Sequence, residues 1–150
     1  MPQSLANVLV HLVFSTKERR PCLDAAVAPR LHAFLAEMTR SCGCECYRVG
    51  GTDDHVHLAV RLARTVSLAA LGEEIKVASS KWLETQGSDL ADFAWQRGYG
   101  AFSVAPDGLP ALIAYIDGQP AHHRKIGFQT EYRQTLADNA VAYDERWVWE

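Results

Sequence analysis

The order in which two hydrophobic periods alternate along this chain leaves few folds open to it. Asn7 to Phe14 (NVLVHLVF) is dense in Val and Leu and reads as a buried strand with His11 embedded in it. From Asp24 to Arg40, Val27, Leu31, Phe34, Leu35 and Met38 recur at three- and four-residue steps, the pattern of an amphipathic helix with its apolar side against a sheet. Gly43 lies just past its end, where a terminator belongs. Two strands follow, Cys44 to Val49 and His55 to Leu62, joined by the turn formers GGTDD as a hairpin. Ser67 then caps a helix running to about Glu84, and Ala101 to Val104 is a short strand. Strand, helix, strand, strand, helix, strand is the order of an α+β, ferredoxin-like antiparallel sheet with helices packed on one face. Beyond it the pattern predicts a short helix from Ala111 to Gln119 ended by Pro120, and a last amphipathic helix from Phe128 to about Ala137. The aromatic tail carries Tyr143, Trp147 and Trp149, which either pack back on the body or serve a partner subunit.

With 150 residues, 48% hydrophobic and 22% charged, the composition suits one compact domain over residues 1–150. No apolar run approaches the roughly 18 residues of a membrane span, and the start lacks the order of a signal peptide, so a cytoplasmic location is expected. Cys42, Cys44 and Cys46 alternate, unlike the C-x-x-C pairs of zinc ribbons, and read as buried, reduced thiols. A net charge of −3 argues against coating nucleic acid by bulk electrostatics, so any DNA contact must be local. The candidate patches are Lys17, Arg19 and Arg20, then Lys76 and Lys81, then His122, His123, Arg124 and Lys125. Taken alone, each reads first as a solvated face.

His55 and His57 flank Val56, and residues two apart in a strand share a face, so both imidazoles project together and can grip one metal ion. A His-x-His pair by itself is also a common polar-face pattern. Tyr115 and Gln119 are four apart, hence neighbours on one helical face, although a tyrosine within LIAYI is by itself an ordinary core aromatic. The combination is more specific. Cleavage of a phosphodiester by a phenol needs a hydroxyl in line with the phosphorus, a cation to polarise the phosphate, and a retained leaving group. His55, His57 and the Gln119 oxygen have the chemistry to hold the cation, and Tyr115 to attack.

In their joint occurrence the stretches VLVHLVFSTKERRP, GGTDDHVHLAV, SSKWL, WQRGYGAFSV, YIDGQPAHHRK and YDERWVW resemble the HUH single-tyrosine transposases of small bacterial insertion sequences, including the repeat-associated tyrosine transposases. They span nearly the whole chain in order. The resemblance implies that His55 and His57 are the metal pair, Gln119 the third ligand and Tyr115 the nucleophile. It implies Mg or Mn as the cofactor and hairpin-bearing single-stranded DNA as the substrate, cut and rejoined through a 5'-phosphotyrosine with a free 3'-hydroxyl. It also implies a homodimer, in which the tyrosine helix completes either its own site or its partner's. The rival functions are a domesticated nickase that processes repeats, and a non-catalytic ferredoxin-like nucleic-acid-binding module.

Other matching residues keep two readings each. Asp54 either orients an imidazole or caps a turn. His122 and His123 either contact the scissile strand or are solvated, and Lys76, Ser79 and Lys81 either touch the DNA backbone or pair along a helix surface. Trp95, Tyr99 and Phe102 either stack bases or pack in the interior. His11, inside a strand, reads as a structural, hydrogen-bonded histidine.

Overall fold

The computed structural model describes Met1–Glu150 and contains four strands and five α-helices. In chain order these are β1 (Val8–Ser15), α1 (Ala28–Ser41), β2 (Glu45–Gly51), β3 (His55–Leu62), α2 (Leu68–Glu84), β4 (Gly100–Val104), α3 (Leu109–Asp117), α4 (Gln119–His122) and α5 (Phe128–Asp138). The strands form one antiparallel sheet in the order β2-β3-β1-β4, the ferredoxin-like arrangement expected from the element order. Helix α1 begins at Ala28 rather than Asp24, because the Asp24 carboxylate accepts from the amides of Ala26 and Val27, both at 2.9 Å, and closes a separate turn. It ends at Ser41, and Gly43 just beyond, with a φ of 83°, carries the chain away from the helix. Helix α2 starts as expected, with Ser67 Oγ accepting from the Ala70 amide at 3.0 Å. Cys44 and Cys46 are buried and unbridged, with burial pushing the Cys46 thiol up to about 11. No helix is long and apolar enough to cross a membrane.

Strand alternation divides the sheet into two faces with different tasks. Leu12, Phe14, Val56, Leu58 and Val60 point to one side and pack with Leu31 and Leu35 of α1 and Leu71, Ile75 and Leu83 of α2. Each fully buried side chain of this kind stabilises the fold by about 1.5–3 kcal/mol, so this layer is the main core. The expected pair of helices covers this face. The opposite face receives the C-terminal trio, with Val13 and Phe102 under Phe128, Tyr132 and Leu136 of α5. Val148 and Trp149 of the tail close over the same cluster, with the Trp149 ring 5.9 Å from that of Tyr132.

Two glycines let those later helices come close. A Cβ on Gly50, opposite His57 in the β2–β3 ladder, would lie 2.7 Å from Ile116 Cγ2 and 3.0 Å from the Ile116 carbonyl oxygen of α3. One on Gly100 would lie 2.6 Å from the Tyr132 hydroxyl of α5. The helix bearing Tyr115 therefore depends on a missing side chain in β2. Gly50→Ala should push α3 outward and cost about 1–3 kcal/mol of stability, read as a lower urea midpoint. An unchanged midpoint would show that α3 can shift without cost.

Candidate metal and tyrosine site

His55 and His57 both project onto the second face of the sheet, and α5 covers them so completely that neither is more than 1% exposed. Their outer nitrogens are held. His55 Nδ1 lies 2.8 Å from Asp54 Oδ1, and Asp54 is itself fixed through its backbone oxygen, which accepts from the Thr16 amide at 2.8 Å. His57 Nδ1 lies 2.7 Å from His11 Nε2 of β1. The two imidazoles sit on adjacent strands, and because His57 pairs with Val13, His11 is its diagonal neighbour. Phe128 stacks on His55 at 4.2 Å between ring centroids. The inner Nε2 atoms thus have fixed directions, as they do where a carboxylate or second imidazole orients metal-binding histidines.

The inner nitrogens converge on a residue that the sequence patterns did not single out. Glu131 of α5, 5% exposed, places Oε1 3.1 Å from His57 Nε2 and 3.7 Å from His55 Nε2. Its Oε2 accepts from Tyr115 Oη at 2.5 Å and from Gln119 Nε2 at 2.9 Å. Gln119 Oε1 faces His55 Nε2 at 2.8 Å. Tyr115 and Gln119 reach the same point although the expected single helix is broken. Helix α3 stops at Asp117, and Gln119 opens the separate turn α4, in whose first turn Pro120 fits without losing an amide bond. The phenol stands 5.6 Å from the His57 ring, so tyrosine and imidazole pair meet within one chain.

The donor chemistry suits a divalent cation. His55 has oxygen opposite both nitrogens, since Nδ1 faces Asp54 while Nε2 faces Gln119 Oε1 and, farther away, Glu131. Flipping the Gln119 amide does not relieve this, because its nitrogen already serves Glu131 Oε2 and the flip would set oxygen against oxygen. A cation accepted by the imidazole lone pairs, the amide oxygen and the carboxylate satisfies all of them at once. His55, His57 and Glu131 form such a group, and His122, His123 and Glu131 form a second.

Electrostatics follow from burial. Burial acts to raise the Glu131 carboxyl, but the close imidazoles of His123 and His57 and the Tyr115 hydroxyl outweigh it and hold the group well below the usual carboxylate range. Burial, and then the neighbouring Glu131, push the Tyr115 phenol well above its ordinary value. Burial lowers His57 to about 4 and His11 to about 3. Both rings are therefore neutral in the folded protein while the unfolded chain gains protons below about pH 6.5. These two rings therefore contribute stability that is full above that pH and is lost as pH falls toward 4, with a slope of up to about 1.4 kcal/mol per unit for each ring. Urea unfolding at pH 7 and pH 5 measures this, and equal midpoints would contradict it.

The remaining expected site residues are dispersed. His122 and His123 join the cluster, with Nε2 atoms 3.2 and 3.1 Å from Glu131 Oε2. Lys76 Nζ instead donates to the carbonyls of Gln96, Arg97 and Gly98, and it lies on the core side of the sheet over Phe14. Arg20 is tied to Asp92 and to the Asp89 carbonyl, and Arg19 lies over the Trp149 ring. Lys17, Lys81 and Arg124 are exposed and away from these ties. Trp95 donates to the buried Ser79 hydroxyl and packs on Phe14, Phe102 is buried beneath α5, and Tyr99 is the partly exposed member of that aromatic trio.

Fold and site together define a ferredoxin-like protein in which a strand-borne imidazole pair faces a helix-borne tyrosine. The family model described as "Transposase IS200 like" matches residues 4–119, and the chain belongs to that family. Two solved structures share the fold. A chain from Deinococcus radiodurans R1 described as a transposase aligns at a TM-score of 0.62 with 20% identity, covering 79% of this chain and 98% of that one. A REP-associated tyrosine transposase bound to a REP hairpin aligns at 0.62 with 14% identity, covering 96% of this chain and 90% of that one. Among proteins of curated function there is no significant match. Glu131 lies beyond the matched segment. One signal could have exposed it, namely an acidic residue on the stripe Phe128, Tyr132 and Leu136 of an amphipathic helix.

Proposed function

We propose that this transposase cuts and rejoins single-stranded DNA at hairpin-bearing element ends, with Tyr115 as nucleophile and His55, His57, Gln119 and Glu131 as holders of a Mg or Mn ion. The observation that carries the reading is the convergence of the phenol and both imidazoles on one buried carboxylate. When bound, the cation supplies Lewis-acid polarisation of the scissile phosphate and a template for it. Tyr115 Oη attacks phosphorus, the bond to the 3'-oxygen breaks, and that oxygen takes a proton from solvent, so the product is a 5'-phosphotyrosine with a free 3'-hydroxyl. The phenol must give up its proton, and Glu131 Oε2 at 2.5 Å is placed to orient the hydroxyl and receive it. In the free protein the raised phenol and depressed carboxyl keep that proton on Tyr115.

A groove of about 490 Å³ runs to the phenol between α3 and α5, lined by His11, Leu112, Tyr115, His122 and Gln134 among others, and offers the strand a path. The REP hairpin bound by the neighbouring structure supports a hairpin substrate here. Residues 1–150 act as a single domain in this reading. The proposal includes a homodimer, the assembly implied by the resemblance, although the geometry allows each chain its own site in cis. A domesticated repeat-processing nickase would use the same chemistry, and the DNA around the coding region separates the two.

The test is covalent capture. With Mn or Mg the purified protein should form a denaturation-resistant adduct on hairpin-bearing single-stranded DNA, and EDTA should abolish it. Hairpin binding without an adduct under any divalent ion would favour the non-catalytic binding module.

A further inference from the structure

Resting on the reading that His57 is an ion ligand, we propose that His11 contacts the scissile phosphate, through a ring nitrogen that becomes a donor only when His57 holds its ion. The two imidazoles of the pair are backed differently. His55 Nδ1 lies 2.8 Å from a carboxylate oxygen of Asp54, which only accepts, so the proton of that ring stays on Nδ1. His57 Nδ1 lies 2.7 Å from His11 Nε2, and a neutral imidazole nitrogen either donates or accepts. The proton in that contact has two places to sit, and the far end of His57 chooses between them.

With the carboxylate as its partner, His57 Nε2 donates to Glu131 Oε1 at 3.1 Å. A neutral ring carries one such proton, so His57 Nδ1 then accepts from His11 Nε2, and His11 Nδ1 is left as a bare lone pair. When His57 Nε2 instead gives its lone pair to an ion, the count reverses. Nε2 releases its proton to solvent, the bridging proton passes from His11 Nε2 to His57 Nδ1, and His11 Nδ1 takes a proton from solvent. The pair keeps two protons and no net charge, in accord with the burial of both rings.

His11 Nδ1 has no hydrogen-bond partner in the protein. The part of His11 left open, 8% of the residue, belongs to the groove of about 490 Å³ that leads to Tyr115, and its ring lies 6.1 Å from the phenol ring. No lysine or arginine lines that groove, so a phosphate beside Tyr115 is met there by neutral donors and the ion. A lone pair at Nδ1 repels a phosphate oxygen, whereas an N–H at the same place binds it and stabilises charge that grows on it during attack. His11 thus makes the groove receptive to a phosphodiester when the ion is in place. Asp54 gives His55 no comparable freedom, because a carboxylate cannot hand a proton back.

The test reads the position of a proton and needs no cleavage. The full wild-type chain is isotope-labelled in its six histidine rings, and proton–nitrogen correlation spectra, assigned through bonds from the backbone, show which nitrogen of each ring is protonated. Before metal is added, His11 should carry its proton on Nε2. Titration with magnesium chloride should move it to Nδ1, in step with the change at His57. Adding hairpin-bearing single-stranded DNA, with Tyr115→Phe preventing cleavage, should then protect the Nδ1 proton from exchange with water. A His57 signal that responds to magnesium while His11 keeps its Nε2 proton overturns the relay and leaves the ion reading standing, as does a proton already on Nδ1 beforehand. An Nδ1 proton that exchanges as fast with DNA as without it overturns the phosphate contact. No response of His55 or His57 to magnesium overturns the ion site and the relay together.

Discussion

Tyr115→Phe should eliminate the covalent protein–DNA adduct and lower strand cleavage by on the order of 10³-fold or more, because the variant has no oxygen with which to attack phosphorus. The substitution is a clean one. The ring keeps its edge-on packing against His57 at 5.6 Å and His11 at 6.1 Å, and only the 2.5 Å hydrogen bond to Glu131 is lost. Gln119 and the histidines remain around the carboxylate, so the expected stability change is within about 1–3 kcal/mol. Hairpin binding should persist, since most protein–DNA hydrogen bonds go to phosphate and sugar and the variant removes one hydroxyl. An adduct of undiminished yield from the variant would remove Tyr115 as nucleophile, and mapping the adducted peptide would then name its replacement.

His57→Ala should separate binding from chemistry. Cleavage with Mn or Mg is expected to fall about 10²-fold or more, because the imidazole provides one of the inner nitrogens at the carboxylate. Hairpin binding should change by less than about 3-fold, as backbone contacts dominate affinity. The variant also leaves His11 Nε2 without its 2.7 Å partner, so thermal unfolding must accompany the assay to distinguish a lost ligand from a loosened strand. Metal-dependent cleavage at the wild-type rate in a folded variant would exclude His57 from the ion site.

The elements were legible because each rests on local pattern. The Val- and Leu-rich stretch of β1, the three- and four-residue apolar steps of α1, the Ser67 cap of α2 and the GGTDD turn are short-range features, and together they determine the order that yields the sheet β2-β3-β1-β4. Period-two alternation likewise places His55 and His57 on one face and Val56 on the other. Their burial was not local. It arises because α5 returns over that face, an approach that Gly100 permits by lacking a Cβ, just as Gly50 admits α3.

Glu131 shows the limit most clearly. It lies 74 residues from His57 and 12 from Gln119, outside any short motif, and its role exists only once three separate elements are packed around it. The same holds for Lys76, which pattern placed among possible DNA contacts and the fold turned toward three backbone carbonyls. Sequence alone determined which residues share a strand face and which family the motifs resemble, since those follow from spacing and order. Tertiary structure alone decided which faces meet, because burial of a carboxylate among imidazoles depends on contacts between distant segments that no local period encodes.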